Sequence, residues 1–206
     1  MKFLFRNINL KIHSYKTIII ISLLFFSCIT KSDGCGDGNT EINDKCYNEN
    51  DIAVLQAFIE NTSVSIPEYW DVDSNGSIDP LEYGIQEWDE SGRLTLFDIY
   101  DYKIMGNTIR GKIPENIGDL TQLKKMNLAV HEISGDIPES IGNLGSLNFL
   151  YLYHNQLSGK IPESICNIFT NLDNFWIQFN LLCPPYPACI PEDDIVPQNT
   201  FQCLEQ

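Results

Sequence analysis

The chain has 206 residues, which suits one domain of ordinary size and leaves no room for two large ones. It has 28 acidic and 13 basic residues, a net charge of −15, which disfavours a binder of nucleic acid or acidic membrane that depends on a basic surface. Because 43% of the residues are hydrophobic, the sequence can form a folded core, and a wholly disordered chain is excluded.

Residues 1–27 have the pattern of a signal peptide. Four basic residues and no acidic residue precede an apolar run over 17–26, which is too short to span a membrane as a helix. Ser27 and Cys28 resemble the end of a bacterial lipobox, although Phe25 stands where that motif usually has Leu, Val or Ile. The resemblance implies an exported lipoprotein anchored through Cys28 at the cell surface or outer membrane. The alternative is a secreted protein that is cleaved a few residues later.

The seven cysteines form an odd set, and lipidation of Cys28 would leave six. An even set in an exported protein predicts disulfide bonds. The six are Cys35, Cys46, Cys166, Cys183, Cys189 and Cys203. The sequence does not fix their pairing, because the last four alone allow three connectivities. The four basic residues of the leader also lie outside the exported part, which therefore has nine basic and 28 acidic residues, a net charge of −19.

An internal repeat of 24 residues dominates the second half of the chain. Residues 111–118 (GKIPENIG), 135–142 (GDIPESIG) and 159–166 (GKIPESIC) recur at that spacing. Between them, apolar residues follow the order LxxLxxLxLxxN, with Asn155 and Asn180 at the last position of two turns. His131 stands at the equivalent position of an earlier turn, so we expect the interior hydrogen bonding to be perturbed there.

This pattern resembles the plant-type subclass of leucine-rich repeats. The resemblance implies an α/β repeat fold, a short right-handed solenoid with a concave parallel sheet, a helical N-terminal cap and a disulfide-bonded C-terminal cap. No single turn can bury its leucines without neighbours, which is why such repeats need caps at both ends. The sequence leaves two possible positions for the strand of the first turn, residues 93–99 and residues 102–104. The choice stays open because this turn has five residues more than the repeat pattern allows.

The predicted boundaries follow from these features. Residues 28–50 form a cysteine-containing linker, and residues 51–92 form the N-terminal cap, with a helix that starts near Asp51 and is capped by Asn50. In this cap the family usually has paired cysteines, which are absent between residues 51 and 165. Residues 93–182 form the repeats, and residues 183–206 form the C-terminal cap.

Residues 71–82 have the ligand spacing of an EF-hand calcium loop. Calcium prefers six to eight oxygen ligands, and the glycine at loop position six permits the sharp turn. The candidate ligands are Asp71, Asp73, Asn75, Ser77, Asp79 and Glu82. The alternative is an acidic surface loop that binds no ion. Calcium is accordingly the one cofactor that the sequence predicts.

Side chains that alternate with the inward leucines are expected to face outward on the concave sheet. The candidate ligand-binding residues are Lys125, Asn127, Phe149, Tyr151, Tyr153, His154, Trp176, Gln178 and Phe179, with Ala129, Val130 and Asn174 on the same face. Stacking the turns aligns Asn127, Tyr151 and Trp176 in one column and Val130, His154 and Phe179 in another. Exposed aromatics are typical of recognition surfaces, but they also stabilise sheets through cross-strand pairs.

The sequence contains no Gly-x-Ser-x-Gly, His-Glu-x-x-His or phosphate-binding glycine loop, so we expect no enzyme. The leading interpretation is a non-enzymatic cell-surface protein whose concave face binds a protein or a glycan. The alternative is a structural surface or matrix module that is stabilised by calcium and disulfides and has no dedicated ligand. Nucleic acid is not an expected partner, and contact with membrane is expected only through the lipid anchor.

Overall fold

The computed structural model describes residues 34–63, 71, 77–100 and 108–205. The predicted signal peptide, Cys28 and the alternative first strand at 102–104 lie outside these residues. Within the described ranges, no helix is long and apolar enough to cross a membrane.

Five strands form the main sheet, and they lie side by side in the reverse of their order along the chain. They are β4 (Ile85–Trp88), β5 (Leu94–Asp98), β7 (Lys125–Asn127), β9 (Phe149–Tyr151) and β11 (Asn174–Trp176). The four repeat strands are parallel, and β4 pairs antiparallel with β5 through a turn over 89–92. Since β5 pairs in register with β7, the strand of the first turn lies within residues 93–99, the first of the two predicted positions.

A second, smaller sheet has four strands, which also lie in the reverse of their order along the chain. Its strands are β3 (Thr62–Ser63), β6 (Arg110–Gly111), β8 (Glu132–Gly135) and β10 (Gln156–Leu157). Each repeat then turns through a short 3-10 helix, at Ile117–Asp119, Glu139–Asn143 and Glu163–Ile165. The prolines of the repeat stand just before these turns, where no sheet donor is needed.

Close packing between turns explains why the first two repeat motifs end in glycine. A Cβ atom on Gly118 would clash with the backbone oxygen of Ser140 in the next turn, and one on Gly142 would clash with the oxygen of Ser164. The last motif has Cys166 at this position. Cys166 instead forms a disulfide with Cys189 in the C-terminal cap.

The core is a column of buried apolar side chains, one set from each turn. In the sheet, Met126, Leu150 and Phe175 point inward from the middle of successive strands. Leu128, Leu152 and Ile177 follow two residues later and are also buried. This alternation is the period-two pattern expected of a strand with one buried face.

Asparagine side chains satisfy the backbone inside each turn. Asn155 donates to the carbonyl oxygens of Leu128 (2.8 Å) and Leu152 (3.1 Å) and accepts from the N–H of Ile133 (3.1 Å). Asn180 makes the same set one turn later, with Leu152, Ile177 and Leu157. Buried backbone groups without partners would each cost free energy, so this ladder stabilises the stacking of the turns.

At His131 an imidazole replaces the asparagine, so the interior hydrogen bonding is altered there but not lost. Nδ1 accepts from the N–H of Ile109 at 3.4 Å, and Nε2 lies 2.9 Å from the carbonyl oxygen of Ile99. A neutral imidazole has one acceptor and one donor, which matches these two groups when Nε2 carries the proton. The ring is also longer than an asparagine side chain, which suits a turn that carries five extra residues.

The N-terminal cap begins earlier than the sequence predicts. Residues assigned to a linker form a hairpin of β1 (Asn39–Ile42) and β2 (Lys45–Asn48), which the disulfide Cys35–Cys46 closes. Helix α1 (Glu49–Asn61) follows directly. Its N-cap is Asn48, whose side chain accepts from the N–H groups of residues 50 and 51, so the prediction of Asn50 as the cap is wrong.

A buried ion pair joins this helix to the first repeat. Asp51 is fully buried and accepts from Arg93 Nε and from a second guanidinium nitrogen, both at 2.9 Å. It also accepts from the N–H of Leu94 at 2.7 Å. The guanidinium reaches on to Thr121 in the next turn. Hydrogen bonding to Asp51, acting against partial burial, raises the pKa of Arg93.

The C-terminal cap follows the last strand and contains two of the predicted disulfide bonds. Cys166 pairs with Cys189, and Cys183 pairs with Cys203. The first bond joins the cap to α2 (Cys166–Phe169), and α3 (Glu192–Ile195) lies beside β11. The prediction of three disulfides among six cysteines is confirmed, and the structure supplies the pairing that the sequence left open.

We expect His131→Ala to lower the free energy of unfolding by about 2 kcal/mol, because it leaves a buried donor and a buried acceptor unpaired. Urea unfolding of both proteins measures the difference. His131→Asn restores one donor and one acceptor, so its loss should be smaller. His154→Ala is the matched control, since that ring is exposed. Equal losses for His131→Ala and His154→Ala would contradict the role assigned to the ring.

Candidate functional site

The register of the main sheet aligns the outward side chains in columns. Asp98 is paired with Asn127, Asn127 with Tyr151, and Tyr151 with Trp176. The predicted column of Asn127, Tyr151 and Trp176 therefore exists, and Asp98 extends it by one strand. Parallel strands lie about 4.8 Å apart, so neighbours in a column touch.

A second column consists of the residues that precede the inward His131, Asn155 and Asn180. These are Val130, His154 and Phe179, and all three have a left-handed backbone, with φ of 64°, 53° and 59°. This conformation is uncommon for non-glycine residues, especially a β-branched one. The backbone adopts it where the chain leaves the strand and the next side chain turns into the core. His154 and Phe179 stack with centroids 4.3 Å apart and planes 5° from parallel.

Six rings form one contiguous surface, which we call the aromatic cluster. Its members are Phe149, Tyr151, Tyr153, His154, Trp176 and Phe179. Trp176 is central, with its ring centroid 4.8 Å from that of Tyr151 and 5.7 Å from that of Tyr153. Trp176 remains 46% exposed and Phe179 51% exposed. Large apolar side chains that stay exposed together on a rigid sheet are typical of binding surfaces.

The other half of the same face is polar and closed. Asp98 Oδ2 accepts from Lys125 Nζ at 2.9 Å and from Asn127 Nδ2 at 3.1 Å. Asn127 is only 9% exposed, and Ala129 is fully buried. The expectation that these two side chains are exposed is wrong, and Asn127 is hydrogen-bonded to Asp98 and to the N–H of Ala129. A ligand-binding role for Asn127 stays a prediction.

Tyr153 links the first turn to the aromatic cluster. Its hydroxyl group is hydrogen-bonded to Tyr100, which follows the first repeat strand. Burial, followed by the interactions with Tyr100 and Asp98, raises the pKa of Tyr153, so its hydroxyl group stays protonated at neutral pH. Sequence reasoning missed Tyr100 and Asp98. The pairing of β5 with β7 would have identified Asp98, but the five extra residues of the first turn obscured that register.

The C-terminal cap borders the aromatic cluster without covering it. Gln178 Nε2 donates to the carbonyl oxygen of Asp194 at 2.7 Å, so this candidate ligand-binding residue is engaged by the cap. The N–H of Phe179 donates to the carbonyl oxygen of Pro197 at 2.7 Å. The ring of Phe179 and that of Trp176 nevertheless stay about half exposed.

The candidate calcium loop is described only in part, since Asp73 and Asn75 lie outside the described residues. Residues 80–82 form a 3-10 turn, and Glu82 Oε2 accepts from the N–H of Asp79 at 3.0 Å. Asp71 and Ser77 belong to the described part. Within that part, no group of three or more side chains is arranged to hold a metal ion.

The two histidines of the predicted exported part have no catalytic arrangement in the described structure. His131 serves the interior hydrogen bonds, and His154 stacks on Phe179. The six cysteines at 35, 46, 166, 183, 189 and 203 are all in disulfide bonds. The face therefore offers contact area and ring surfaces rather than a nucleophile with its base.

Comparisons with known proteins support this architecture. The family model described as Leucine Rich Repeat matches residues 146–168. No curated protein matches the sequence at a significant level. Among solved structures, a chain of the PEPR1–AtPEP1 complex matches with 23% identity and a TM-score of 0.56, covering 68% of this chain and 19% of that chain.

A second structural match is to the Arabidopsis receptor kinase HAESA, solved with the peptide hormone IDA and the co-receptor SERK1. It has 20% identity and a TM-score of 0.54, and it covers 68% of this chain and 23% of that chain. The present chain thus spans less than a quarter of either of those chains. At this level of identity the likeness concerns the fold alone, which is a leucine-rich-repeat-like α/β fold with parallel sheets and disulfide bonds.

Proposed function

We propose that the protein is a non-enzymatic recognition module that binds a protein or a glycan through the outer face of its main sheet. The observation that carries this proposal is the aromatic cluster, in which Trp176 and Phe179 are about half exposed. Aromatic residues dominate binding hot spots because they bury a large area with little loss of side-chain entropy.

The cluster is held rigidly by the interior of the repeats. Its strands are fixed by ladder pairing and by the asparagines inside each turn. Two of its members have a strained left-handed backbone, which the surrounding structure must maintain. A surface that is ordered before binding loses less entropy when a ligand arrives.

We expect Tyr151→Ala combined with Trp176→Ala to weaken binding at least tenfold, because the centre of the ring surface is removed. The probes are a phage-displayed library of random 12-residue peptides and a panel of soluble polysaccharides. Binders selected on the wild-type domain are then measured on the variants by biolayer interferometry.

Ile85→Ala is the matched control, because Ile85 has the same exposed fraction as Trp176 and lies on β4, the opposite edge strand of the sheet. Its effect should stay below about twofold. If neither probe set binds above background and the double variant changes only self-association, recognition is excluded and a structural surface module is favoured.

We also propose that residues 71–82 bind calcium and stabilise the N-terminal cap. The support is the spacing of Asp71, Asp73, Asn75, Ser77, Asp79 and Glu82 in the sequence. The loop lies between α1 and the first repeat. An ion that binds only the folded state would therefore stabilise the junction of the cap with the repeats.

We expect calcium at millimolar concentration to raise the melting temperature relative to a sample in chelator, and magnesium to do so less. Asp73→Ala should abolish the shift. Asp193→Asn, which removes one carboxylate elsewhere, should leave it intact. A melting temperature that calcium does not change, together with no heat in titration calorimetry, would exclude the site.

Export and lipidation at Cys28 complete the proposal. Three disulfides suit an oxidising compartment outside the cytoplasm. Mass spectrometry of the mature N-terminus is expected to find Cys28 as an acylated first residue. An unmodified N-terminus beyond Cys28 would instead identify a secreted protein without the anchor.

A further inference from the structure

The hydrogen bonds of the interior ladder continue into the C-terminal cap. Gln198 Nε2 donates to the carbonyl oxygens of Ile177 at 2.9 Å and of Ile195 at 2.7 Å. Gln198 Oε1 accepts from the N–H of Asn180 at 3.1 Å. One side-chain amide thus donates to two carbonyl groups and accepts from one N–H, as the amides of Asn155 and Asn180 do in the two turns before it.

The donors of Gln198 also have the same positions along the chain as those of the asparagines. Asn180 donates to the carbonyl oxygen three residues before it, that of Ile177, and Gln198 donates likewise to Ile195. The second donor reaches the preceding turn, at Leu152 for Asn180 and at Ile177 for Gln198. Ile177 and Ile195 are both buried in the core. The pair Ile195 and Gln198 is therefore equivalent to the pair Ile177 and Asn180.

The cap differs from a full repeat in its strand and in the position of the acceptor. Helix α3 stands where the earlier turns have a strand of the main sheet. Gln198 accepts from the N–H of Asn180 itself, whereas Asn180 accepts from the N–H of Leu157, which lies two residues after Asn155. The cap thus retains the interior amide of a turn although the strand is lost.

The same segment of the cap holds the backbone around Phe179. The N–H of Phe179 donates to the carbonyl oxygen of Pro197 at 2.7 Å. The preceding side chain, Gln178, donates to a backbone oxygen of α3, and the following N–H, of Asn180, donates to Gln198. Three consecutive residues are therefore each bonded to the cap. Phe179 has a φ of 59°, which a residue with a side chain keeps only where its surroundings hold it.

In the earlier turns the equivalent N–H group is bonded to the next repeat. The N–H of Val130 donates to the carbonyl oxygen of Tyr153 at 2.9 Å, and that of His154 donates to the carbonyl oxygen of Gln178 at 3.0 Å. Phe179 belongs to the last repeat of the described structure, so the cap supplies the acceptor in place of a repeat.

We propose that residues 192–198 form a shortened last turn of the coil, with Gln198 as its interior amide, and that Gln198 is a positioning residue for Phe179 in the aromatic cluster. Gln198 acts through the backbone of residues 177–180, which its amide bonds at both ends. The effect on binding rests on the recognition function proposed above. The positioning of Phe179 is a property of the protein without a ligand.

The test replaces Gln198 by methionine, which has a similar length and no amide. NMR-detected hydrogen exchange measures local opening in the free protein. We expect Gln198→Met to accelerate exchange of the Phe179 N–H at least tenfold, although that group bonds to Pro197 and not to Gln198. Exchange in β9 should change by less than about twofold. Circular dichroism and melting curves verify that the variant is folded.

Gln202→Met is the matched control, because Gln202 lies in the same cap and its side chain donates once, to the carbonyl oxygen of Leu181 at 2.8 Å. It should leave exchange at Phe179 within about twofold of the wild type. The wild type supplies a test that needs no variant. Its Phe179 N–H should exchange as slowly as that of His154, and exchange at the rate of an open amide would overturn the shortened turn.

Binding distinguishes positioning from general destabilisation. Ligands selected on the wild type from the peptide and polysaccharide sets are measured on Gln198→Met, on Phe179→Ala and on the double variant. We expect Gln198→Met to weaken binding at least threefold alone and by less than about 1.5-fold when Phe179→Ala is present, because a residue that acts through the ring has no effect once the ring is removed. Equal factors in both backgrounds would overturn the positioning role.

The outcomes separate this inference from the recognition function. If neither probe set binds the wild type, recognition fails and hydrogen exchange alone decides how Phe179 is held. If Gln198→Met accelerates exchange at Phe179 no more than Gln202→Met does, the role of Gln198 is overturned while recognition stands.

Discussion

The structure depends on one constraint, which is that each turn of the coil brings buried backbone groups to a corner where no sheet can pair them. Asn155 and Asn180 solve this with one side chain each, donating to two carbonyl groups and accepting from one N–H. His131 meets the need with a different chemistry, because a neutral ring offers one donor and one acceptor where an asparagine amide offers two N–H donors and an acceptor oxygen. What the three turns share at this position is a donor to the backbone of the preceding turn and an acceptor for a backbone N–H. A repeat can therefore lose its asparagine and keep its ladder.

The same constraint shapes the surface that we propose to bind a ligand. To turn these side chains inward, the preceding residue adopts a left-handed backbone, which places Val130, His154 and Phe179 in a column at the end of the strands. The parallel stack of His154 on Phe179 follows from that column. Interior hydrogen bonding thus sets the positions of side chains that face outward. Substitutions of the inward side chains at these positions should consequently alter the recognition that we propose for this surface, even when the outward residues are unchanged.

The 24-residue period predicted the features that recur in every turn, and it could not predict the features that occur in only one place in the chain. The 24-residue motif indicated the inward leucines, the prolines before the turns and the alignment of Tyr151 with Trp176, since each depends on local pattern alone. The exposure of Asn127 was predicted wrongly because burial there depends on Asp98, whose register was hidden by the five extra residues of the first turn. Likewise, the disulfide pairs and the hairpin over 39–48 depend on contacts between distant segments, for which a single sequence carries no periodic signal.

The two caps are joined to the repeats by different physical means, although each contains a disulfide bond. At the N-terminal end, Asp51 and Arg93 form a buried, multiply hydrogen-bonded pair, and removing one partner of such a pair typically costs about 3–5 kcal/mol. Lys125 and Asp98 neutralise each other on the adjacent face, so that end is satisfied within itself. The C-terminal cap buries Ile190 and Ile195 in the core and is also joined by covalent bonds, which need no complementary charge. Disulfides can therefore hold a cap whose outer surface stays apolar, acidic and open beside Trp176. The closure of the core and the exposure of the proposed binding surface can coexist at this end because the disulfides hold the cap without burying Trp176 and Phe179.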